Sequence, residues 1–299
     1  MSSIFQNSLL QADQRLFRVE IRASIAHCNG LFHAAILTRP EAERLKNALW
    51  TILKRADFDQ HFLDQADVPD VYTFVETKLF QLVNDACYKL NIGRSVESRS
   101  ATALRLWVRD ELETLSELLD NLHEELVQAA TKSRLLAVFD QGFERDRERL
   151  TEILRRTNQM PRPQVDAADE TIGEIDFAEI AHELGFANVL ENSLDAIFDR
   201  DFCVEFSNAA ALIMLHNTNL GNALLQNFDL NPQQQRVFEM MRGKSSKITG
   251  LHAASLSILK NLSLAPVADL DEIHEIIFET SEILKSCVQA ATATLRELA

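Results

Sequence analysis

The sequence predicts an all-α protein built from long helices, and three observations carry that expectation. The chain has 8 glycines and 6 prolines in 299 residues, about 3% glycine where an average chain has roughly 7%. With turn formers so scarce, turns are few and each element between them is long. Aromatic residues make up 7% of the chain, with only 2 Tyr and 2 Trp, too few for a strand-rich fold. The third observation is a rhythm. Leu104, Val108, Leu112, Leu115, Leu119, Leu122, Leu126 and Ala129 step by three and four, the period of a helical core seam.

Taken in order, residues 10–36 are rich in Leu, Ile and Ala and read as a first helix stopping near Pro40. Pro40 followed by Glu41 and Glu43 marks a new helix start, with proline in the first turn and acids at the positive end. That helix runs to about Arg55, an irregular stretch spans 67–70, and another helix covers 71–90. From Ala101 to Asn158 there is no proline and one glycine, Gly142. As a single helix this segment would be about 85 Å long; two antiparallel helices turning at 130–133 fit the periodicity equally well.

Met160–Glu170 holds two prolines among small and acidic residues and reads as a linker. A short helix follows at 175–185, ending at Gly185. A long helix then starts at Ser193 or Asp199 and reaches Gln226, apolar nearly all round, as suits a helix buried in a bundle or an oligomer. Pro232 interrupts, and helices resume over 233–262 and 268–297. No internal repeat is visible. The predicted organisation is a helical N-terminal region, 1–100, and a long-helix bundle, 101–299, which forms the oligomerisation core.

Charge excludes whole classes of partner. A net charge of −15 and a pI near 5.0 repel nucleic-acid phosphates and anionic lipid, so neither nucleic acid nor membrane is expected. Cys28, Cys87, Cys203 and Cys287 lie far apart without metal-ligand or redox spacing and read as small buried hydrophobes in a reducing compartment. The N-terminus lacks a signal-peptide pattern, and no apolar stretch reaches the roughly 18 residues of a membrane span. The expected location is cytoplasmic. His27, His123, His182, His216, His252 and His274 stand singly, and no nucleophile elbow, phosphate loop or metal constellation is visible. No metal or cofactor is implied.

Three stretches carry a resemblance. The first is AspGlnArgLeu at 13–16 with IleArgAlaSerIleAlaHis at 21–27 and IleLeuThr at 36–38. The second is AspValTyrThrPheValGlu at 70–76, leading into LysLeuAsnIleGlyArgSer at 89–95 and LeuArgLeuTrpValArgAsp at 104–110. The third is LeuGlyPhe at 184–186, then GluAsnSerLeuAspAlaIlePheAspArgAspPhe at 191–202 and ArgGlyLysSer at 242–245. In this order and spacing they resemble argininosuccinate lyase, of the fumarase/aspartase superfamily and related to delta-crystallin. The resemblance implies a small helical N-terminal region, a bundle of very long helices, and a tetramer in which three subunits form each active site. The implied reaction is anti elimination of argininosuccinate to arginine and fumarate. The family's small C-terminal domain has no counterpart before the chain stops at Ala299.

The departures fall on the segments that would do the chemistry. Where the family reads LysLeuHisThrGlyArgSerArgAsnAspGln, its histidine and threonine are Asn91 and Ile92, and its second arginine and asparagine are Val96 and Glu97. Glu97 would face a polycarboxylate substrate with like charge, at a cost of several kcal/mol in a partly dry site. The GlyTyrThrHisLeuGln turn has no counterpart between 126 and 139. The GlySerSer signature loop, whose serine would be the base, is absent. The TyrAsnArgAspLeuGlnGluAspLys stretch is reduced to ValAlaAspLeuAspGluIleHisGlu at 267–275.

By resemblance, Ser24, Arg94, Ser95 and Glu97 are the remnants of a substrate-binding site, and no catalytic residue is identified. Helix packing explains Ser24 equally well, and a turn at Gly93 explains Arg94 and Ser95. Asp199, Arg200 and Asp201 read as an ion network at a helix start. The expectation is a degenerate lyase relative that has lost its activity and acts as a binding and oligomerisation scaffold. Its partners would be further copies of itself, as a dimer or tetramer, an active lyase, or another protein of its pathway. The alternative is an active lyase-type enzyme with a rebuilt site, in which Glu97, Arg99 and Tyr72 meet a different amino-acid-derived substrate. A cavity near residues 91–99 separates the two.

Overall fold

Helices dominate the computed structural model, which describes residues 14–59, 61–64, 68–131, 133–163, 173–260 and 268–298. A 3-10 turn at Gln14–Leu16 leads into helix α1, Phe17–His33; the earlier residues of the predicted 10–36 helix lie outside the described residues. Ala35 takes a positive φ of 56° and turns the chain toward α2, Arg39–Phe58. Glu41 accepts from both the Thr38 backbone N–H at 2.9 Å and its hydroxyl at 2.7 Å, so the proline-and-acid start signal is realised as a cap. Asp70 caps α3, Val71–Val83, by accepting from the Thr73 N–H at 2.6 Å. The helix predicted to run to residue 90 breaks earlier. Asn84 adopts φ 53° with ψ −143°, a positive-φ state outside the left-handed helical well that strains any residue but glycine, and a 3-10 turn covers Asn84–Asn91.

The segment from 101 to 158 forms two helices. Helix α4 is Val96–Ala130 and α5 is Arg134–Thr157, and the Ser133 N–H bonds the Ala129 carbonyl at 3.1 Å to close the end of α4. Every member of the seam from Leu104 to Ala129 is buried, at most 4% exposed. The stretch expected to be a linker instead begins with strand β1, Gln159–Pro161, paired in parallel with β2, Asn188–Leu190. Proline is tolerated there because a two-stranded sheet is all edge; the rest of that stretch, from 164 on, lies outside the described residues. Helix α6, Phe177–Glu183, ends before Gly185 at φ 75°. Four further helices follow: α7, Ser193–Phe198; α8, Asp201–Asn227; α9, Pro232–Leu259; and α10, Ala268–Leu298.

The chain divides into two compact units. One is Met1–Trp107 with Asn158–Asp199, the other Val108–Thr157 with Arg200–Ala299. In the first, α1 packs against α2, α3 and α6. A Cβ on Gly30 would sit 2.5 Å from Ile180 Cδ1, so this crossing needs a glycine. In the second, α8 packs against α5, α9 and α10, the central place its apolar circumference predicts. The same unit ties α4 to α10 through Glu111–Lys285 at 2.6 Å and Glu125–Arg296 at 2.7 Å. Among the described residues no helix is long and apolar enough to cross a membrane.

Candidate functional site

In the first unit, one face of α1 is polar. Glu20, Ser24 and His27 recur at helical spacing on a helix whose neighbouring positions are apolar, and all three are buried. Opposite them the chain leaves the 3-10 turn, passes Gly93 at φ 74° and enters α4. Ser95 and Ser98 cap that entry reciprocally. The Ser98 N–H donates to Ser95 Oγ at 3.3 Å, and the Ser95 N–H donates to Ser98 Oγ at 3.0 Å.

Glu20 is the hub. Its Oε1 accepts from Arg99 Nε at 3.0 Å, from Arg99 Nη2 at 2.7 Å and from Ser24 Oγ at 2.8 Å. Arg94 donates from Nη1 to Ser24 Oγ at 3.1 Å and from Nε to the Leu90 carbonyl at 2.8 Å. Arg99 also lies 5.2 Å from the centre of the Tyr72 ring, within cation–π range. His27 donates from Nε2 to the Ile92 carbonyl at 2.9 Å. Glu20 Oε2 has no hydrogen-bond partner among the described residues.

Burial and charge set the protonation states. Desolvation, followed by the positive charge of Arg94, pushes His27 down to about 3, so its imidazole is neutral at physiological pH. Desolvation and then the charge of Arg99 pull Arg94 down to about 9, against the attraction of Glu20. Burial also opposes the charge on Arg99, but Glu20's charge and hydrogen bonds outweigh it, and that guanidinium is held above its ordinary value. Both arginines are therefore cationic at neutral pH.

A cavity of about 40 Å³ adjoins this network, lined by Glu20, His27, Arg94, Ser98 and Arg99 on one side and by Met160, Pro161, Phe177 and Ile180 on the other. It has room for a few water molecules, far below the 300–1,000 Å³ of small-molecule sites. The expected pocket near 91–99 is thus small within the chain itself. Val96 is not what fills it, since that side chain is 48% exposed.

Of the residues singled out in the sequence, Ser24 and Arg94 meet directly. Ser95 is exposed and serves as a helix cap, and Glu97, half-buried, makes no hydrogen bond or ion pair among the described residues. Asp199 accepts from the buried Arg105, a partner outside the expected local network. Glu20 was missed. Its signal was available, as the one carboxylate of this helix, one turn before Ser24 and flanked by Val19 and Ile21.

No protein-family model matches the chain. The argininosuccinate lyase of Desulforudis audaxviator is 32% identical, over 97% of this chain and 71% of its own length. That of Prochlorococcus marinus subsp. pastoris is 30% identical over 97% and 72%, and that of Bordetella pertussis 32% over 91% and 66%. The alignment with the first runs over 328 residues, more than the 299 of this chain, so that relative carries internal segments missing here. Among solved structures, a fumarate lyase from Mesorhizobium sp. BNC1 matches 97% of the chain and 74% of its own with a TM-score of 0.77 at 16% identity. The 3-carboxy-cis,cis-muconate lactonizing enzyme from Pseudomonas putida matches 95% and 72% with a TM-score of 0.74 at 15% identity. At such identities these two share the fold.

Proposed function

The chain belongs to the argininosuccinate lyase family, and on that premise we propose that it has lost the ancestral elimination and works by binding, as an oligomerising scaffold or a subunit of a mixed assembly. The observation that carries this reading is the self-contained charge network at the head of α4. A site for a polycarboxylate needs cations with open faces. Here Arg99 is occupied by Glu20, and Arg94 by Leu90 and Ser24. Within a single chain the adjoining cavity of about 40 Å³ is too small for an amino-acid-sized ligand. Glu97 adds a carboxylate where the family pattern has asparagine.

The apolar seam and the long bundle helices are intact, and they are the parts an oligomer of this family uses. The test is direct. Purified full chain incubated with argininosuccinate should release neither arginine nor fumarate, while light scattering after size exclusion should show an oligomer, alone or with the host's active lyase. Turnover that disappears in Ser24→Ala or Arg94→Ala would overturn the reading. One observation favours the rebuilt enzyme instead: Glu97 is a half-buried carboxylate without a partner among the described residues. Turnover of an amine-bearing substrate, abolished by Glu97→Gln, would establish that alternative.

A further inference from the structure

We propose that His123, Asp140 and Glu144 form a binding site for a divalent first-row transition-metal ion of the zinc class, pinning α4 to α5. Spacing along the chain showed no such cluster, because its members sit on two helices. Asp140 and Glu144 are one turn apart on α5, and His123 reaches them from α4. The ligand atoms of the three all lie within 4.8 Å of one another, and His123 Nδ1 is 2.6 Å from Asp140 Oδ1. All three belong to the same compact unit.

The chemistry of the set selects the ion. One imidazole nitrogen with two carboxylates suits Zn²⁺, Co²⁺ or Ni²⁺, whereas Mg²⁺ and Ca²⁺ prefer oxygen alone. Two carboxylates and a neutral imidazole also balance a double positive charge. Three protein ligands at roughly 2.0–2.2 Å leave a fourth tetrahedral position for water. Around such an ion the donors would stand roughly 3.3–3.6 Å apart, so the widest pair closes by about 1 Å while the His123–Asp140 pair opens by about as much, and partly exposed side chains can do both by rotation. His123 and Asp140 are 32% and 20% exposed, open enough for an ion to enter. Arg147, one turn beyond Glu144 on α5, is engaged by Asp120, one turn before His123 on α4, and so is held outside the site.

The position gives the ion a role. Helix α4 ends at Ala130 and α5 starts at Arg134, and a bound ion would fasten the two helices near those ends, stabilising the bundle whether or not the chain retains any lyase activity. The decisive experiment is titration of the full, tag-free chain with ZnCl₂ by calorimetry, with CoCl₂ as a visible-absorbance probe, beside His123→Ala and Glu144→Gln. One saturable equivalent that raises the melting temperature, reverses with chelator, is not matched by Mg²⁺, and weakens at least tenfold in both variants is the expected result. No saturable binding by the unmodified chain, or affinity unchanged in Glu144→Gln, overturns the proposal. Glu144 is exposed, so that variant keeps its fold and decides the matter even where His123→Ala does not.

Discussion

Helix α4 is held by different physics at its two ends. Through Leu112, Leu115, Leu119, Leu122 and Leu126 it is fixed by apolar side chains that are at most 1% exposed. At its N-terminal end it is fixed by buried polar groups: Ser98, which caps the entry together with Ser95, and Arg99, whose partner Glu20 lies on α1. An apolar seam tolerates exchange, because any side chain of similar volume recovers most of the transfer energy. A buried charge network does not. Each member is stable only while the others remain, and a half-satisfied network is worse than none. Divergence can therefore keep a seam residue by residue, while a polar site is rewired as a block. Val96, Glu97 and Arg99 stand together where the family pattern has its binding residues, as that difference leads one to expect.

The comparison breaks most visibly at Glu20. Glu20→Ala leaves Arg99 as an uncompensated buried cation and is expected to lower stability by about 3–5 kcal/mol, read by denaturant unfolding. Replacing Glu20 and Arg99 together by leucine should recover most of that loss, because the cost lies in the orphaned charge. Leu119→Ala, in the seam, is expected to cost about 3 kcal/mol from lost transfer energy and the cavity left behind, with no partner substitution of comparable benefit. A Glu20→Ala cost below that of an exposed-site change would mean the network carries no structural weight.

The two ends of α4 also differ in how far the sequence exposed them. The seam was legible because its information is local: each leucine is a turn from the next. The site was only partly legible. Glu20 and Arg99 are 79 residues apart, and no spacing rule pairs them; the resemblance singled out Ser24 and Arg94 on the same two segments, and Glu20 was not among the residues it named. The strand at Gln159–Pro161 was read as a linker because its partner, Asn188–Leu190, lies beyond an intervening helix. The break at Asn84 was hidden because Leu79, Val83, Cys87 and Leu90 on either side of it keep the three- and four-residue steps of a helix. What stayed out of reach in each case is a contact between distant segments or one residue's backbone state.

Acid sharpens the contrast, since only the polar end holds a suppressed base. His27 is held near 3 in the folded chain, against about 6.5 for an unfolded histidine. The unfolded state therefore binds more protons between those values, and stability falls as pH drops through that window. Its contribution is complete above pH 6.5 and declines by about 2 kcal/mol by pH 5. His27→Gln, which can still donate to the Ile92 carbonyl, should flatten this dependence. Unfolding midpoints at pH 7 and pH 5 for both chains give the measurement; equal acid sensitivity would show that His27 is not the group responsible.

The smallest effect is expected at Glu97, and that is its value. The side chain is half-buried at the first turn of α4 and makes no hydrogen bond or ion pair among the described residues. Its one structural benefit is a carboxylate near the positive end of a helix, worth about 0.3–1 kcal/mol. Glu97→Gln should consequently shift stability by less than about 1 kcal/mol, measured by thermal unfolding. A loss of several kcal/mol would place Glu97 inside the Glu20–Arg99 network and remove it as a free binding group. With stability unchanged, any ligand or partner that binds Glu97→Gln more weakly than the unmodified chain does so because it meets the carboxylate itself.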